Sequence, residues 1–148
     1  HDRALVKLAK YYLEARDLDR VTQIAKRILE KSPGHVSAQA LQITVTAVSG
    51  KLDEAVSQAE QLIEAAPSST DSVLLIASLY IAKQRGEEAV TLLRRSLEAH
   101  PGNLELLDAI TTTLIKQGRM DDAGKAIQQI ITLEPTVFEH RLRQAGPR

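Results

Sequence analysis

The chain contains no cysteine and no tryptophan. Without cysteine there is no disulfide, no thiolate nucleophile and no cysteine-built zinc or iron–sulfur site, and the compartment stays open between cytoplasm and bacterial periplasm. Aromatic residues make up only 3% (Tyr11, Tyr12, Tyr80 and Phe138), too few and too scattered to stack nucleic-acid bases or sugar rings. No apolar run approaches the ~18 residues of a membrane span, so direct membrane insertion is not expected. Nineteen basic and nineteen acidic residues cancel. That balance removes the general attraction that draws proteins to phosphate backbones, and no nucleic-acid partner is expected.

Chemistry is also missing. Neither glycine-rich phosphate-loop pattern occurs. His1, His35, His100 and His140 are far apart in sequence, with His35 and His100 at turns between repeated segments, where solvated side chains rather than metal ligands are expected. Paired acids such as Asp121-Asp122 read as helix starts, not as acid–base pairs. The expectation is a protein that is not an enzyme and uses no cofactor or metal. The sequence begins at His1 without a methionine or signal peptide, which suggests a piece of a longer product.

What remains is a foldable chain of 148 residues, 43% hydrophobic with mean hydropathy −0.17, whose core must be built from Ala, Leu, Ile and Val. Four of its five prolines, Pro33, Pro67, Pro101 and Pro135, stand 34 residues apart. Aligned on them, other columns appear: Val21, Ala55, Ala89 and Ala123; Leu18, Leu52, Gly86 and Met120; Gly50 and Gly118, with Arg16 and Gln84 as their counterparts. A fixed period of this length marks an internal repeat.

Within each unit the apolar spacing is helical. Val73, Ile76, Ala77 and Tyr80 follow i, i+3, i+4, i+7, and after Gly86 a second face begins with Ala89, Leu92, Leu93 and Leu97. Asp53-Glu54, Glu87-Glu88 and Asp121-Asp122 open the second helices, where carboxylates favour the positive end of the helix dipole and can accept from free amides. Each proline is expected to end its helix, because the residue before proline avoids the α region. The unit is thus helix–turn–helix, roughly Arg3–Ala15 with Asp19–Ser32, written four times. One such hairpin cannot bury both faces alone, and stacking supplies the missing cover.

The 34-residue period, the small residue at repeat position 20 and the proline at position 32 resemble the tetratricopeptide repeat family over residues 2 to 135. "YIAKQRGEEAVTLLRRSLEAHP", "GKLDEAVSQAEQLIEAAP" and "GRMDDAGKAIQQIITLEP" are its best copies. The resemblance implies an all-α, right-handed α-solenoid: one domain over 1–148, repeats about 2–35, 36–69, 70–103 and 104–137, and a short C-terminal capping helix about 136–145 with Val137, Phe138 and Leu142 inward. Leu5, Gln39, Val73 and Leu107 stand where the family often has tryptophan, and Thr111, like Ile43, is bulky at a position usually small. In the second repeat Gln42 also holds a position usually leucine, so that repeat's first helix should pack least regularly.

In the resembled family the first helices line a concave groove. Carried over column by column, the groove positions here are Val6, Lys10, Leu13, Thr44, Ala47, Leu74, Ser78, Ile81, Asp108, Thr112 and Ile115. An apolar centre with a ladder of hydroxyls (Thr44, Ser78, Thr112) suits an apolar helix or extended peptide of a partner protein. The opposing reading packs Leu13, Ile81 and Ile115 between helices and turns the hydroxyls onto local carbonyls. A clamp for the carboxylate tail of heat-shock chaperones is not expected, because only Lys10 offers the needed charge. The resemblance implies a non-catalytic protein-binding scaffold. Its alanine-rich style is similar to bacterial envelope factors for polysaccharide export or pilus assembly. The alternative is a structural spacer or self-associating module within a longer chain.

Overall fold

The computed structural model describes the backbone of residues 1–145 and the side chains of residues 1–132. Its described residues form eight helices and no strand: α1 (Asp2–Glu14), α2 (Leu18–Lys31), α3 (Val36–Val48), α4 (Leu52–Ala65), α5 (Thr70–Ala82), α6 (Gly86–Ala99), α7 (Leu104–Lys116) and α8 (Met120–Ala145). The all-α helical-repeat reading therefore holds.

The repeat columns have a physical meaning at each turn. All four tight turns within the hairpins close in the same way. The N–H groups of Arg16, Gly50, Gln84 and Gly118 donate to the carbonyls of Leu13, Ala47, Ile81 and Ile115 at 3.0–3.1 Å. The next N–H groups, of Asp17, Lys51, Arg85 and Arg119, reach back to Tyr12, Thr46, Tyr80 and Leu114. This is a Schellman closure, and it puts its first residue in the left-handed region. There φ is 62° at Arg16, 92° at Gly50, 64° at Gln84 and 74° at Gly118. Two copies meet the demand with glycine; the other two force a side chain into it.

The turns between hairpins use another column. The side chains of His35, Ser69 and Asn103 accept from the backbone N–H groups of Ala38, Ser72 and Leu106, capping α3, α5 and α7. Each satisfies an amide that the helix start leaves without an intrahelical partner. His35 is thus a structural cap, half-buried, with its Nε2 3.7 Å from Asp2 Oδ2, and not a solvated turn residue. The acidic pairs do stand in the first turns of α4, α6 and α8. Asp17 caps α2 by accepting from the Arg20 N–H at 3.3 Å, but the N-cap of α4 is Lys51, without a side-chain cap bond. Asp53 instead pairs with Lys83, and Glu87 with Gln117 and Arg119. Both reach the start of the following turn.

Three prolines do stand where a second helix ends: α2, α4 and α6 stop at Lys31, Ala65 and Ala99. The fourth does not. α8 runs to Ala145 through Pro135, so the expected stop and separate capping helix from 136 are absent. Pro33, Pro67 and Pro101 are followed two residues later by a cap (His35, Ser69, Asn103); Pro135 is followed by Thr-Val-Phe-Glu. A proline removes one helix bond, but a new helix needs a cap of its own. The inward face expected of Val137, Phe138 and Leu142 lies outside the described side chains.

The contacts divide the chain into two compact units, His1–Arg85 and Gly86–Arg148. In the first, α1 to α5 pack in chain order, and α3 also touches α1 and α5, so the first helices lie side by side. Ala9, Val21, Ala25 and Leu41 form a buried cluster there, with Val6, Tyr12, Leu13, Ile24 and Val45 packed on it. The position-20 residues Val21 and Ala55 are fully buried, letting the paired helices approach. In the second unit α7 packs on both α6 and α8. Its Leu106, Leu107, Ile110 and Leu114 are buried, as are Leu93 of α6 and Ala123 of α8.

Candidate protein-interaction surface

Within the first unit, the side-by-side order of α1, α3 and α5 brings the expected columns onto adjacent helices. Ser37 of α3 donates to Asp71 of α5 across a 2.8 Å hydrogen bond, joining equivalent positions of successive repeats. Val6, Leu13, Thr44, Ala47, Leu74 and Ile81 are half-buried there, while Lys10 and Ser78 are exposed. Val6 and Leu13 also pack against the buried cluster, so part of their apolar surface is already used. Among the hydroxyls, Thr44 Oγ1 donates to the Ala40 carbonyl and Ser78 Oγ to the Leu75 carbonyl, both at 2.8 Å. Their protons are spent within their own helices, and only oxygen lone pairs remain for a ligand.

In the second unit, α7 carries Asp108, Thr112 and Ile115, all three exposed, Ile115 to 45%. An isoleucine that far in water is an available apolar contact.

A second concavity did not emerge as a site from the column reading. Over α3, between α2 and α4, lies a trough of about 500 Å³ whose polar lining is Thr22, Gln39, Gln42, Thr46, Gln58 and Gln61. Gln42 is exposed, as is Leu8 of the same column at 42%, whereas Ile76 and Ile110 there are 1% and 3% exposed. Ile43 is nonetheless buried, 6% exposed. At 100° per residue the trough side of α3 lies opposite Ser37, Ala40, Thr44 and Ala47. The signal was present in the sequence as glutamines in columns otherwise filled by leucine, valine and isoleucine.

Among the described residues no group of three or more His, Asp or Glu side chains is placed to hold a metal, and no helix is long and apolar enough to cross a membrane.

Paired helices joined by Schellman turns, with equivalent positions bonded from one repeat to the next, define a helical-repeat protein. The family model described as the second ARM domain of tetratricopeptide repeat protein 21 matches residues 1–110, and the chain belongs to this family of tetratricopeptide-type helical repeats. Comparison with curated proteins gives no match. Solved structures share the fold at low identity. A thermophilic TPR protein of Thermus thermophilus, TTC0263, is 16% identical with a TM-score of 0.74, over 91% of this chain and 75% of that one. MamA 41-end from Desulfovibrio magneticus RS-1 is 15% identical with a TM-score of 0.67, over 92% and 77%. A structure of Naa15/Naa10 bound to HypK-THB gives 17% identity and a TM-score of 0.77, over 97% of this chain but only 21% of that one.

Proposed function

We propose that this chain is a non-catalytic interaction module whose first-helix face seats an apolar helix or extended segment of a partner protein. The observation that carries this is the alignment of α1, α3 and α5 side by side, with Leu74, Ile81 and Ala47 left half-buried and Lys10 and Ser78 open beside them. Burial of such a strip supplies affinity, and the remaining oxygen acceptors orient the ligand. In the second unit, Asp108, Thr112 and Ile115 hold the matching columns of α7. A likeness in fold to Naa15, solved with HypK-THB, supports a protein rather than a small-molecule ligand. The alanine-rich repeats suggest a bacterial envelope setting.

The test is a pull-down from native extract comparing the unaltered chain with Leu74→Glu/Ile81→Glu. Partners held by the face should be lost, because two carboxylates would have to be buried unpaired. Retention of every partner would overturn the reading. Leu8 and Tyr11, 42% and 66% exposed on α1, favour a second reading, self-association through that helix. It predicts a mass that rises with concentration in light scattering.

A further inference from the structure

The trough over α3 is built differently from every equivalent surface in the chain. Gln39, Gln42 and Thr46 are spaced i, i+3, i+7 and so share one face of α3. Their counterparts are Leu5, Val73 and Leu107; Leu8, Ile76 and Ile110; Tyr12, Tyr80 and Leu114. Gln58 faces the same space from α4, in a column that otherwise holds Ile24, Leu92 and Ala126. Four positions that are apolar elsewhere have become polar together, around one cavity.

The kind of polarity is specific. Charged residues make up 26% of the chain, yet none lines the trough. A face that had merely been released to solvent would take lysine and glutamate, as the other exposed helix faces do. Here the groups are carboxamides and hydroxyls above a floor of Ile43, Val45 and Leu62. Several donors are already committed: Gln39 Nε2 to the Pro33 carbonyl at 3.1 Å, Thr22 Oγ1 to Leu18 at 2.9 Å and Thr46 Oγ1 to Gln42 at 3.1 Å. Among the described residues, the carboxamides of Gln42, Gln58 and Gln61 make no hydrogen bond within the protein.

A carboxamide is chemically a peptide group, with one acceptor oxygen and two donor hydrogens. A surface of uncharged amides therefore matches the alternating N–H and C=O groups of a polypeptide main chain and disfavours charged side chains, which it could not pair. Length agrees as well. Gln39 to Thr46 spans seven residues, about 10 Å along the axis of α3, and Gln58 to Ala65 spans the same on α4. At about 3.3 Å per residue that accommodates roughly three residues of extended chain. The volume lies within the range of about 300–1,000 Å³ typical of ligand sites.

We propose that this trough is a second binding site, on the opposite side of α3 from the first-helix face, which holds about three residues of an extended, uncharged polypeptide segment by its main chain. It does not depend on the first-helix site.

The test is an NMR titration of the full ¹⁵N-labelled chain with the capped, uncharged peptide acetyl-SVSVSV-amide. The side-chain NH₂ signals of Gln42, Gln58 and Gln61 should shift, saturating in the millimolar range or below. A peptide N-methylated at alternate amides should bind about tenfold more weakly, the loss expected for one hydrogen bond. Gln42→Leu/Thr46→Tyr, which restores residues found in those columns elsewhere, should abolish the shifts. Gln42→Glu, nearly isosteric, should weaken them without loss of helical circular dichroism. The proposal is overturned if millimolar peptide leaves the three amides unmoved, if the N-methylated peptide binds equally well, or if shifts appear only around Leu74 and Ile81. That last outcome would leave the first-helix reading intact.

Discussion

α3 and α5 are neighbours in one unit and occupy the same place in successive repeats, yet they differ along one face. In α5 that face carries Val73 and Ile76, 2% and 1% exposed; in α3 it carries Gln39 and Gln42, open to the trough. Everything that determines register is shared. Both helices begin at a side-chain cap, His35 or Ser69, and both end in the same two turn bonds. α3 keeps a second set of buried contacts through Ala38 and Leu41. One buried face together with a cap and a closed turn holds a helix in place, and the other face is free to diverge.

The comparison can be broken most sharply at its deepest point. Ile76→Ala should cost about 2–4 kcal/mol, through lost transfer energy and a cavity, while Gln42→Ala in the same column should change stability by no more than about 0.5 kcal/mol. Urea denaturation of the two variants measures both, and equal losses would show that the trough face supports the fold after all. The turns after the two helices give a smaller contrast of opposite sign. Gly50→Ala places a Cβ at φ 92° and should destabilise by about 1 kcal/mol, whereas Gln84→Gly removes one at φ 64° and should stabilise by up to about 0.5 kcal/mol. Thermal melts would resolve the two shifts. The smallest effect belongs to the ion pair that ties the turn after α5 to Asp53. With Asp53 86% exposed, Lys83→Ala should cost under about 0.5 kcal/mol and less in high salt.

The period, the helix pairs and the turns were legible because each rests on a residue whose backbone chemistry is unusual. Gly50 and Gly118 mark left-handed turns, and the structure puts Arg16 and Gln84, their counterparts in that column, in the same conformation. Small residues such as Ala55 mark close helix approach. Pro135 misled because proline marks only a missing donor, and the cap that makes a break is a separate requirement downstream. The partners of Asp53 and Glu87 were hidden for a different reason. They lie 30 residues ahead, at Lys83 and Gln117, and only the packing of one repeat on the next brings them together. The first-helix face was nameable by column, but a column does not report depth: Val6 and Leu13 share their surface with the core.

The bonds between repeats have a reach that bears on how such a chain changes over generations. Ser37 to Asp71 spans 34 residues, and Asp53 to Lys83 and Glu87 to Gln117 span 30. Each joins a repeat only to its successor. A gene that duplicates or drops one whole unit keeps the helix register at the new junction, whereas a single inserted residue within a helix turns everything beyond it by about 100°. Length is therefore the property this architecture can vary most freely, and a unit copied entire can then acquire its own exposed face, as α3 has done.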